Sequence, residues 1–242
     1  MLDVEKAATW LSNAKSIAVL TGAGVSAESG IPTFRDAMDG LWAQFEPERL
    51  ASRQGFMADP KLVWQWYEER RATIKRCRPN SGHIALAELE AKKPVTVITQ
   101  NVDGLHSQAG SKRVLELHGN IMRNSCFIEG KLLRDDELDT ASVPPKCPCG
   151  SYARPAVVWF GEFLPEDVLE AAISASRHAD VFLIAGTSGV VQPAASLPLL
   201  AAERGARIIE INNQESALTP IAHISLRSNF AVMMPKLVSL VS

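Results

Sequence analysis

TGAGVSAESGIPTFRD, residues Thr21–Asp36, follows an apolar run, Ser16–Leu20, that predicts a short buried strand. A strand, a turn containing Gly22 and Gly24, and a helix start together predict a phosphate cradle. At such a turn backbone N–H groups face outward, and the helix N-terminus carries partial positive charge. With Ala27 the glycines satisfy a loose G-x-G-x-x-G/A dinucleotide pattern. The same turn also occurs as an ordinary strand-to-helix connection, so the pattern alone leaves both interpretations open.

The residues after this stretch argue against a dehydrogenase. A Rossmann dehydrogenase has a second strand ending in Asp or Glu about 20 residues after the glycines. The corresponding region, GLWAQFEPERL at Gly40–Leu50, contains Pro47 and no β-branched run. Instead, the turn leads into Gly30–Asp36, an irregular loop with an aromatic, a cationic and an anionic residue. The sequence therefore predicts a nucleotide site built on a different plan.

Length and composition predict one large domain, or a domain with a smaller insertion, in the cytoplasm. The 242 residues are 46% hydrophobic and 21% charged, an ordinary globular balance. A net charge of −2 gives no bulk attraction to nucleic acid or an acidic membrane surface. The N-terminal residues include acids and form no apolar run, and no window has the apolar length of a membrane span. The four cysteines then predict reduced thiols or metal ligands rather than disulfides.

The order of helical and β-branched runs predicts an α/β fold, with a parallel sheet covered by helices on both faces. The predicted helices are Leu2–Asn13, Pro60–Arg76, His83–Ala91, Pro165–Ala175, Ala194–Arg204 and Phe230–Val241. The predicted strands are Ser16–Leu20, Pro94–Thr99, Val114–His118, Ala156–Phe160, Val181–Ala185, Arg207–Ile211 and Ile224–Leu226. Between Asn120 and Pro155 the chain is polar and carries three cysteines, which indicates an inserted module.

A second polar string, TQNVDGLH at Thr99–His106, follows a predicted buried strand. Ligands of open α/β sheets bind beyond the carboxyl ends of strands, where this loop would lie. Gln100, Asn101 and Asp103 offer the donors and acceptors that a ribose and a carboxamide need. Further along, His118 is a candidate general base, because imidazole titrates near physiological pH. In isolation, ordinary loop chemistry and a core histidine bonded to a backbone carbonyl explain these residues as well.

Taken together and in order, these strings resemble the signatures of the sirtuins, the NAD-dependent protein deacylases. GAGVSAESGIPTFR resembles the first signature, TQNVDGLH the second, His118-Gly119 the pair holding the catalytic base, and VWFGE at Val158–Glu162 the third. The resemblance runs from about Ala14 to the C-terminus. It implies a large Rossmann-like domain from residues 1–40, 79–119 and 156–242, and a small domain from a helical insertion, 41–78, and a cysteine-bearing one, 120–155. NAD and an acyl-lysine would meet in the cleft between them.

The resemblance also implies a role for each matching residue. NAD would contact Gly22, Ala23, Gly24, Ala27, Phe34, Arg35, Gln100, Asn101, Asp103, Gly186, Thr187, Ser188 and Asn212. The peptide of an acylated protein would pair, by β-augmentation, with Val158, Phe160, Gly161 and Glu162. In the implied reaction the acyl oxygen attacks C1′ of the nicotinamide ribose as nicotinamide departs, and water then releases free lysine and O-acyl-ADP-ribose. His118 would activate a ribose hydroxyl, Asn101 would orient the ribose, and Asp103 would hold the carboxamide.

Tyr67 and Arg70, with the small Ala51 upstream, match a subset of the family, the class III sirtuins. In these, a tyrosine and an arginine recognise the carboxylate of succinyl- or malonyl-lysine. The resemblance thus implies a desuccinylase or demalonylase that also removes acetyl groups. The alternative is an ordinary solvated face, because the helix is rich in basic residues.

The cysteines depart from the family pattern, which has two C-x₂-C pairs around a structural zinc. Here Glu129 stands three residues after Cys126, and Cys147 and Cys149 are separated by one residue only. Three thiolates remain where tetrahedral zinc takes four ligands. A zinc site completed by a carboxylate such as Glu129 and a metal-free module both remain open.

Two other functions compete with deacylation. A mono-ADP-ribosyltransferase would let a protein nucleophile capture the ribose, and a sensor would bind NAD without turnover. The presence of His118, Asn101 and the VVWFGE string favours the deacylase. The expected partners are proteins or peptides bearing acyl-lysine, without nucleic acid or membrane, and the expected state is a monomer.

Overall fold

A computed structural model describes residues 2–32 and 46–242 of the chain. The predicted cofactor contacts Phe34 and Arg35 lie outside these residues. Within them, the longer helices are α1 (Leu2–Asn13), α4 (Arg53–Ala58), α5 (Pro60–Arg76), α6 (Ser81–Lys92), α8 (Glu166–Arg177), α9 (Leu197–Glu203) and α10 (Phe230–Ser239). Four-residue helices are α2 (Gly24–Ala27), α3 (Pro47–Leu50) and α7 (Leu105–Gln108).

The strands form two sheets. The larger sheet contains β1 (Ile17–Thr21), β2 (Val95–Thr99), β3 (Val114–Glu116), β7 (Val181–Ala185), β8 (Arg207–Asn212) and β9 (Ile224–Arg227). The smaller sheet contains β4 (Gly119–Cys126), β5 (Leu132–Leu133) and β6 (Ala153–Val157). The order of the large sheet is β3-β2-β1-β7-β8-β9, and all of its pairs are parallel. This is the strand order of a Rossmann fold, so the predicted α/β class is confirmed.

Both faces of the large sheet are covered, which explains why β1, β2 and β7 are buried along their whole length. One face packs against α1, α6 and α10 through Leu11, Leu86 and Met234. The other face packs against α8 and α9 through Ala172 and Leu197. The strand order reverses between β1 and β7, so the loops after these strands diverge and leave a crevice at the carboxyl edge.

A third core joins α4 and α5 to the small antiparallel sheet. Phe56, Trp66 and Trp159 are its large aromatic members, and each is almost completely buried. Pro60 begins α5, and the side chain of Asp59 accepts a hydrogen bond from the Leu62 N–H, so the predicted bounds of this helix are correct.

Two predicted strands end earlier than expected. The strand predicted over Ala156–Phe160 is observed as β6, which begins at Ala153 and ends at Val157. The Val158 N–H donates to the His118 carbonyl oxygen at 2.9 Å, and the Phe160 N–H to that of Ala51 at 2.8 Å. The strand predicted to reach His118 ends at Glu116, and Gly119 takes a left-handed φ of +77°. A Cβ at Gly119 would lie 2.2 Å from the Ala156 carbonyl oxygen, so glycine is required there.

Across the described ranges, no helix is long and apolar enough to cross a membrane.

Candidate functional site

The glycine turn after β1 packs directly on the turn after β7. The Gly24 N–H donates to the Gly186 carbonyl oxygen at 2.8 Å, and the Gly22 N–H donates to that of Ala185 at 3.1 Å. A Cβ on Gly22 or Gly24 would lie 2.8 Å from the Gly186 oxygen. The expectation that these N–H groups face outward toward a phosphate is therefore wrong for Gly22 and Gly24. Their glycine identity is explained by the close approach of two backbones. Ala23 is the N-cap residue of α2, and Ala27 ends this helix with an exposed side chain.

Three predicted cofactor residues from different strand ends are brought together around the β7 turn. The Gln100 side-chain amide donates to the Thr187 hydroxyl at 3.0 Å, and that of Asn212 donates to the Thr187 carbonyl oxygen at 2.9 Å. Ser188, in the same turn, accepts a hydrogen bond from the Ala217 N–H. The loops after β2, β7 and β8 thus form one surface, beside the crevice where a dinucleotide binds in Rossmann folds.

A buried polar cluster lies at the base of this crevice. Asp103 accepts hydrogen bonds from the Ser26 hydroxyl and the Leu105 N–H, both at 2.8 Å. The Asn101 amide donates to the Gly22 carbonyl oxygen at 3.0 Å and to the Ser26 hydroxyl at 3.1 Å. Desolvation raises the pKa of Asp103, and the two hydrogen bonds oppose that rise. The sequence prediction missed Ser26 as a site residue, although it stands in the first signature.

His118 has the tautomer that a general base requires. Its Nδ1 lies 2.9 Å from the Gln100 carbonyl oxygen, which only accepts, so Nδ1 carries the hydrogen and Nε2 keeps its lone pair. Desolvation lowers the pKa of His118 below 6.5, and the hydrogen bond to Gln100 opposes part of that change. The imidazole is therefore neutral at pH 7 and available to accept a proton.

A second hydrogen-bond network, which the sequence prediction missed, holds the backbone of the Asn101 loop at the ends of β1 and β2. The Thr99 hydroxyl accepts the Asn101 N–H at 3.0 Å and is joined to the Thr21 hydroxyl at 2.9 Å. His106 Nε2 lies 2.9 Å from the Thr21 oxygen, and the His106 ring faces that of His83 with centroids 4.8 Å apart. A threonine as the last residue of two neighbouring buried strands is the sequence signal for this network.

Arg70, in the predicted acyl pocket, is held between aromatic and polar groups. Its guanidinium lies 4.8 Å from the centroid of the Trp66 ring. It borders a cavity of about 160 Å³, which is also lined by Ile31, Pro32, Trp66, Glu69, Thr73 and Ile74. Desolvation lowers the pKa of Arg70, while Tyr67 and Asp103 raise it. Arg70 is therefore half-buried beside the Trp66 ring and within electrostatic range of Tyr67 and Asp103.

Tyr67 and Ala51 are buried in the core that joins α5 to the small sheet. Burial raises the pKa of Tyr67 to about 12, so its phenol stays protonated throughout the working range of pH. The Trp159 indole N–H donates to the Tyr67 oxygen at 2.8 Å. The structure therefore brings Tyr67 next to the segment predicted to bind the substrate peptide.

That segment, Val158–Glu162, is not a free strand edge. The N–H groups of Val158 and Phe160 donate to carbonyl oxygens of the chain, and that of Trp159 donates to the Glu162 carboxylate at 2.9 Å. Glu162 also receives the Arg154 guanidinium at 2.9 Å, and Gly161 takes a φ of +82°. Pairing with an extended peptide would have to use other backbone groups of the segment.

The three cysteines of the insertion converge, in accordance with the prediction of a degenerate metal site. The Sγ atom of Cys126 lies 3.3 Å from that of Cys147 and 3.5 Å from that of Cys149. Three thiolates fit three of the four positions around zinc, a structural ion that would tie β4 to the turn before β6. Within the described ranges, the cluster of ligand atoms lying within 4.8 Å of one another contains these thiols alone. The suggestion that Glu129 completes the site is therefore not supported.

Comparison with known proteins gives one consistent result. The Sir2 family profile matches residues 22–193. A protein of Aquifex aeolicus named NAD-dependent protein deacylase is 50% identical over 223 residues, 91% of this chain and 93% of the relative. A Sir2 homologue solved with NAD is 49% identical, with a TM-score of 0.90 over 97% of this chain and 92% of that one. A Sir2 protein bound to a myristoylated histone peptide is 36% identical, with a TM-score of 0.79 over 98% and 95%.

The fold and the site define a Rossmann-like nucleotide-binding protein with an inserted small sheet and a buried polar cluster beside its crevice. With these matches, the chain belongs to the Sir2 family, the sirtuins.

Proposed function

We propose that this protein is an NAD-dependent protein lysine deacylase that prefers acyl groups ending in a carboxylate. Its family membership and its relatives, which are named NAD-dependent protein deacylases, support the coarser function, with NAD as co-substrate. The finer preference, for succinyl- and malonyl-lysine over acetyl-lysine, rests on this chain's own residues. NAD supplies the ribose carbon that takes the acyl oxygen, and nicotinamide is the leaving group.

His118 serves as the base. Its Nε2 accepts a proton from a ribose hydroxyl, and the Gln100 carbonyl oxygen fixes the ring through Nδ1 at 2.9 Å. Both Asn101 N–H groups are used within the chain, so its side-chain oxygen, an acceptor, would orient the ribose. Asp103, held by Ser26 and Leu105, would accept the N–H of the nicotinamide carboxamide. The remaining NAD contacts proposed from the family are those already named, including Phe34 and Arg35.

The pairing of Tyr67 with Arg70 is the single observation that carries the acyl preference. The two residues stand one helical turn apart on α5, and the Arg70 charge opposes the rise that burial causes in the pKa of Tyr67, so the two head groups lie within electrostatic range of each other. A guanidinium binds a carboxylate through two parallel hydrogen bonds, and a phenol adds a third donor. Ala51 lies in the same buried core as Tyr67, and its single methyl group would leave room for a longer acyl chain.

Peptide assays test the proposal directly. The protein is incubated with NAD and one peptide carrying acetyl-, malonyl- or succinyl-lysine, and mass spectrometry follows nicotinamide and the deacylated peptide. Release of nicotinamide with equal loss of acyl groups, faster for the acidic acyls, is the expected result. Nicotinamide release with ADP-ribose on protein would favour the transferase, and NAD binding without turnover would favour the sensor.

Several broader assignments belong to the same proposal. Solved relatives bind a myristoylated histone peptide and a p53 peptide, which supports proteins with acyl-lysine as substrates. The division into a large domain (1–40, 79–119, 156–242) and a small domain (41–78, 120–155) follows the family plan. A cytoplasmic monomer that binds no nucleic acid remains the prediction from sequence.

A further inference from the structure

The indole of Trp159 donates a hydrogen bond to the phenolic oxygen of Tyr67, with the nitrogen and oxygen 2.8 Å apart. We infer that Trp159 is a positioning residue that sets the acyl specificity, because it fixes the direction in which Tyr67 donates its own hydrogen. This inference rests on the proposed preference for acidic acyl groups. The family resemblance assigned roles to the neighbours of Trp159 and none to Trp159 itself.

The direction of the bond follows from the chemistry of the two groups. An indole N–H can only donate, so the Tyr67 oxygen must accept. The phenol hydrogen is then left to find an acceptor elsewhere. Arg70, on the next turn of α5, has N–H donors only and cannot receive it. A substrate carboxylate placed against Arg70 would supply the missing acceptor, whereas an acetyl methyl group would not.

Trp159 is itself held rigidly. Its side chain is only 2% exposed, and the Arg154 guanidinium lies 3.3 Å from the centroid of its ring. Its backbone N–H is bound by Glu162, which also forms an ion pair with Arg154. The Phe56 ring also packs beside the indole, with the two ring centroids 5.3 Å apart. The indole therefore has little freedom to rotate, and the phenol that depends on it keeps a single orientation.

The same residue links two parts of the substrate site. Val158 and Phe160, on either side of Trp159, belong to the segment proposed to contact the peptide. Tyr67 belongs to the helix proposed to contact the acyl end. Trp159 therefore lies between the two, and Trp159→Phe keeps the backbone hydrogen bonds that hold the peptide segment, including the one from its own N–H to Glu162.

Trp159→Phe tests the inference, because it removes the N–H donor and keeps an aromatic ring. We expect kcat/KM for a succinyl peptide to fall about 3–10-fold, chiefly through KM, as for the loss of one neutral hydrogen bond. The value for an acetyl peptide should change less than twofold. Trp10→Phe, on α1 and away from the crevice, is the matched control and should change neither value.

A double-mutant cycle separates orientation of Tyr67 from a general structural effect. In a Tyr67→Phe background there is no phenol to orient, so Trp159→Phe should have no further effect on the succinyl peptide. The inference would be overturned if the losses in kcat/KM of the two single variants multiplied in the double variant. It would also be overturned if Trp159→Phe lowered kcat/KM equally for the succinyl and acetyl peptides. If Trp159→Phe does not fold, a benzothienylalanine at position 159 removes the N–H in nearly the same shape and must give the same result.

The acyl preference of the wild-type protein distinguishes failure of the proposed function from failure of the role inferred for Trp159. A wild type without preference for succinyl over acetyl peptides overturns the proposed acyl specificity, and the inference falls with it. A wild type with that preference, retained in Trp159→Phe, overturns only the role of Trp159.

Discussion

His118 Nδ1 lies 2.9 Å from the carbonyl oxygen of Gln100, so one residue of the polar loop after β2 sets the tautomer of the proposed base. Gln100 also reaches Thr187 through its side chain at 3.0 Å. The orientation of His118 is thereby coupled to the loop after β7, on the other side of β1. This arrangement makes the base and the nucleotide crevice one rigid unit.

Replacing His118 should remove catalysis and spare binding. We expect His118→Ala to lower turnover by about 10²–10⁴-fold, the usual loss when a general base is removed. The affinity for NAD, measured by calorimetry, should change little, because the crevice is formed by other loops. A mutant with wild-type turnover would exclude His118 from the reaction.

The pH dependence of kcat/KM should report the protonation of His118. Burial lowers the pKa of His118 below 6.5, so the reactive neutral form persists to lower pH than for a free imidazole. The acidic limb of the kcat/KM profile should therefore have its midpoint below pH 6.5. A midpoint above that value would contradict the assignment.

Arg70→Met should abolish the preference for acidic acyl groups. Loss of a charge-assisted bond to the carboxylate predicts a fall of roughly 10–150-fold in kcat/KM for succinyl peptides, with little change for acetyl peptides. Arg76→Met is the control, since this arginine is exposed near the end of the same helix. If Arg70→Met keeps its efficiency on succinyl peptides, the acidic-acyl proposal is wrong.

The facing histidines should make the protein sensitive to acid. Burial lowers the pKa of His83 to about 4 and, with help from His83, that of His106 to about 3. In the unfolded chain histidine has a pKa near 6.5, so on acidification the unfolded state binds protons first. Their contribution to stability is complete above about pH 6.5 and is lost as the pH falls toward 4 and then 3.

Urea unfolding between pH 7.5 and pH 4.5 measures this effect. His106→Asn should flatten the pH dependence of the unfolding free energy, because it removes one of the two groups that bind a proton on unfolding. An unaltered slope in His106→Asn would show that this residue does not titrate on unfolding.

The thiol cluster should hold a metal less tightly than a four-cysteine site. We expect protein purified under reducing conditions to contain up to one zinc per chain, and a chelator to remove it and lower the melting temperature. Elemental analysis and thermal unfolding measure both quantities, with Cys147→Ser as the metal-free control. Metal-free wild type with a melting temperature unaffected by chelator would establish that packing alone holds the module.

The sequence by itself determined the architecture and the identity of the reactive groups. Buried β-branched runs at regular intervals require a parallel sheet covered on both faces, because an apolar strand has no polar side to expose. The bounds of α1 and α5 could be predicted because Pro60 starts α5 and amphipathic spacing continues through both helices. Gln100, Asn101 and Asp103 could be placed at the site because residues after a buried parallel strand reach the ligand edge.

Only the tertiary structure decided how these groups are used, because it brings together residues that are far apart in the chain. The sequence predicted that the glycines of the first turn free N–H groups for a phosphate, yet Gly22 and Gly24 donate theirs to the β7 strand and turn. It gave Trp159 no role, because its contact with Tyr67 spans 92 positions. The end of β6 at Val157 depends on acceptors at His118 and Ala51. A local pattern shows which polar groups are present, whereas long-range packing decides which of them remain unpaired for a substrate.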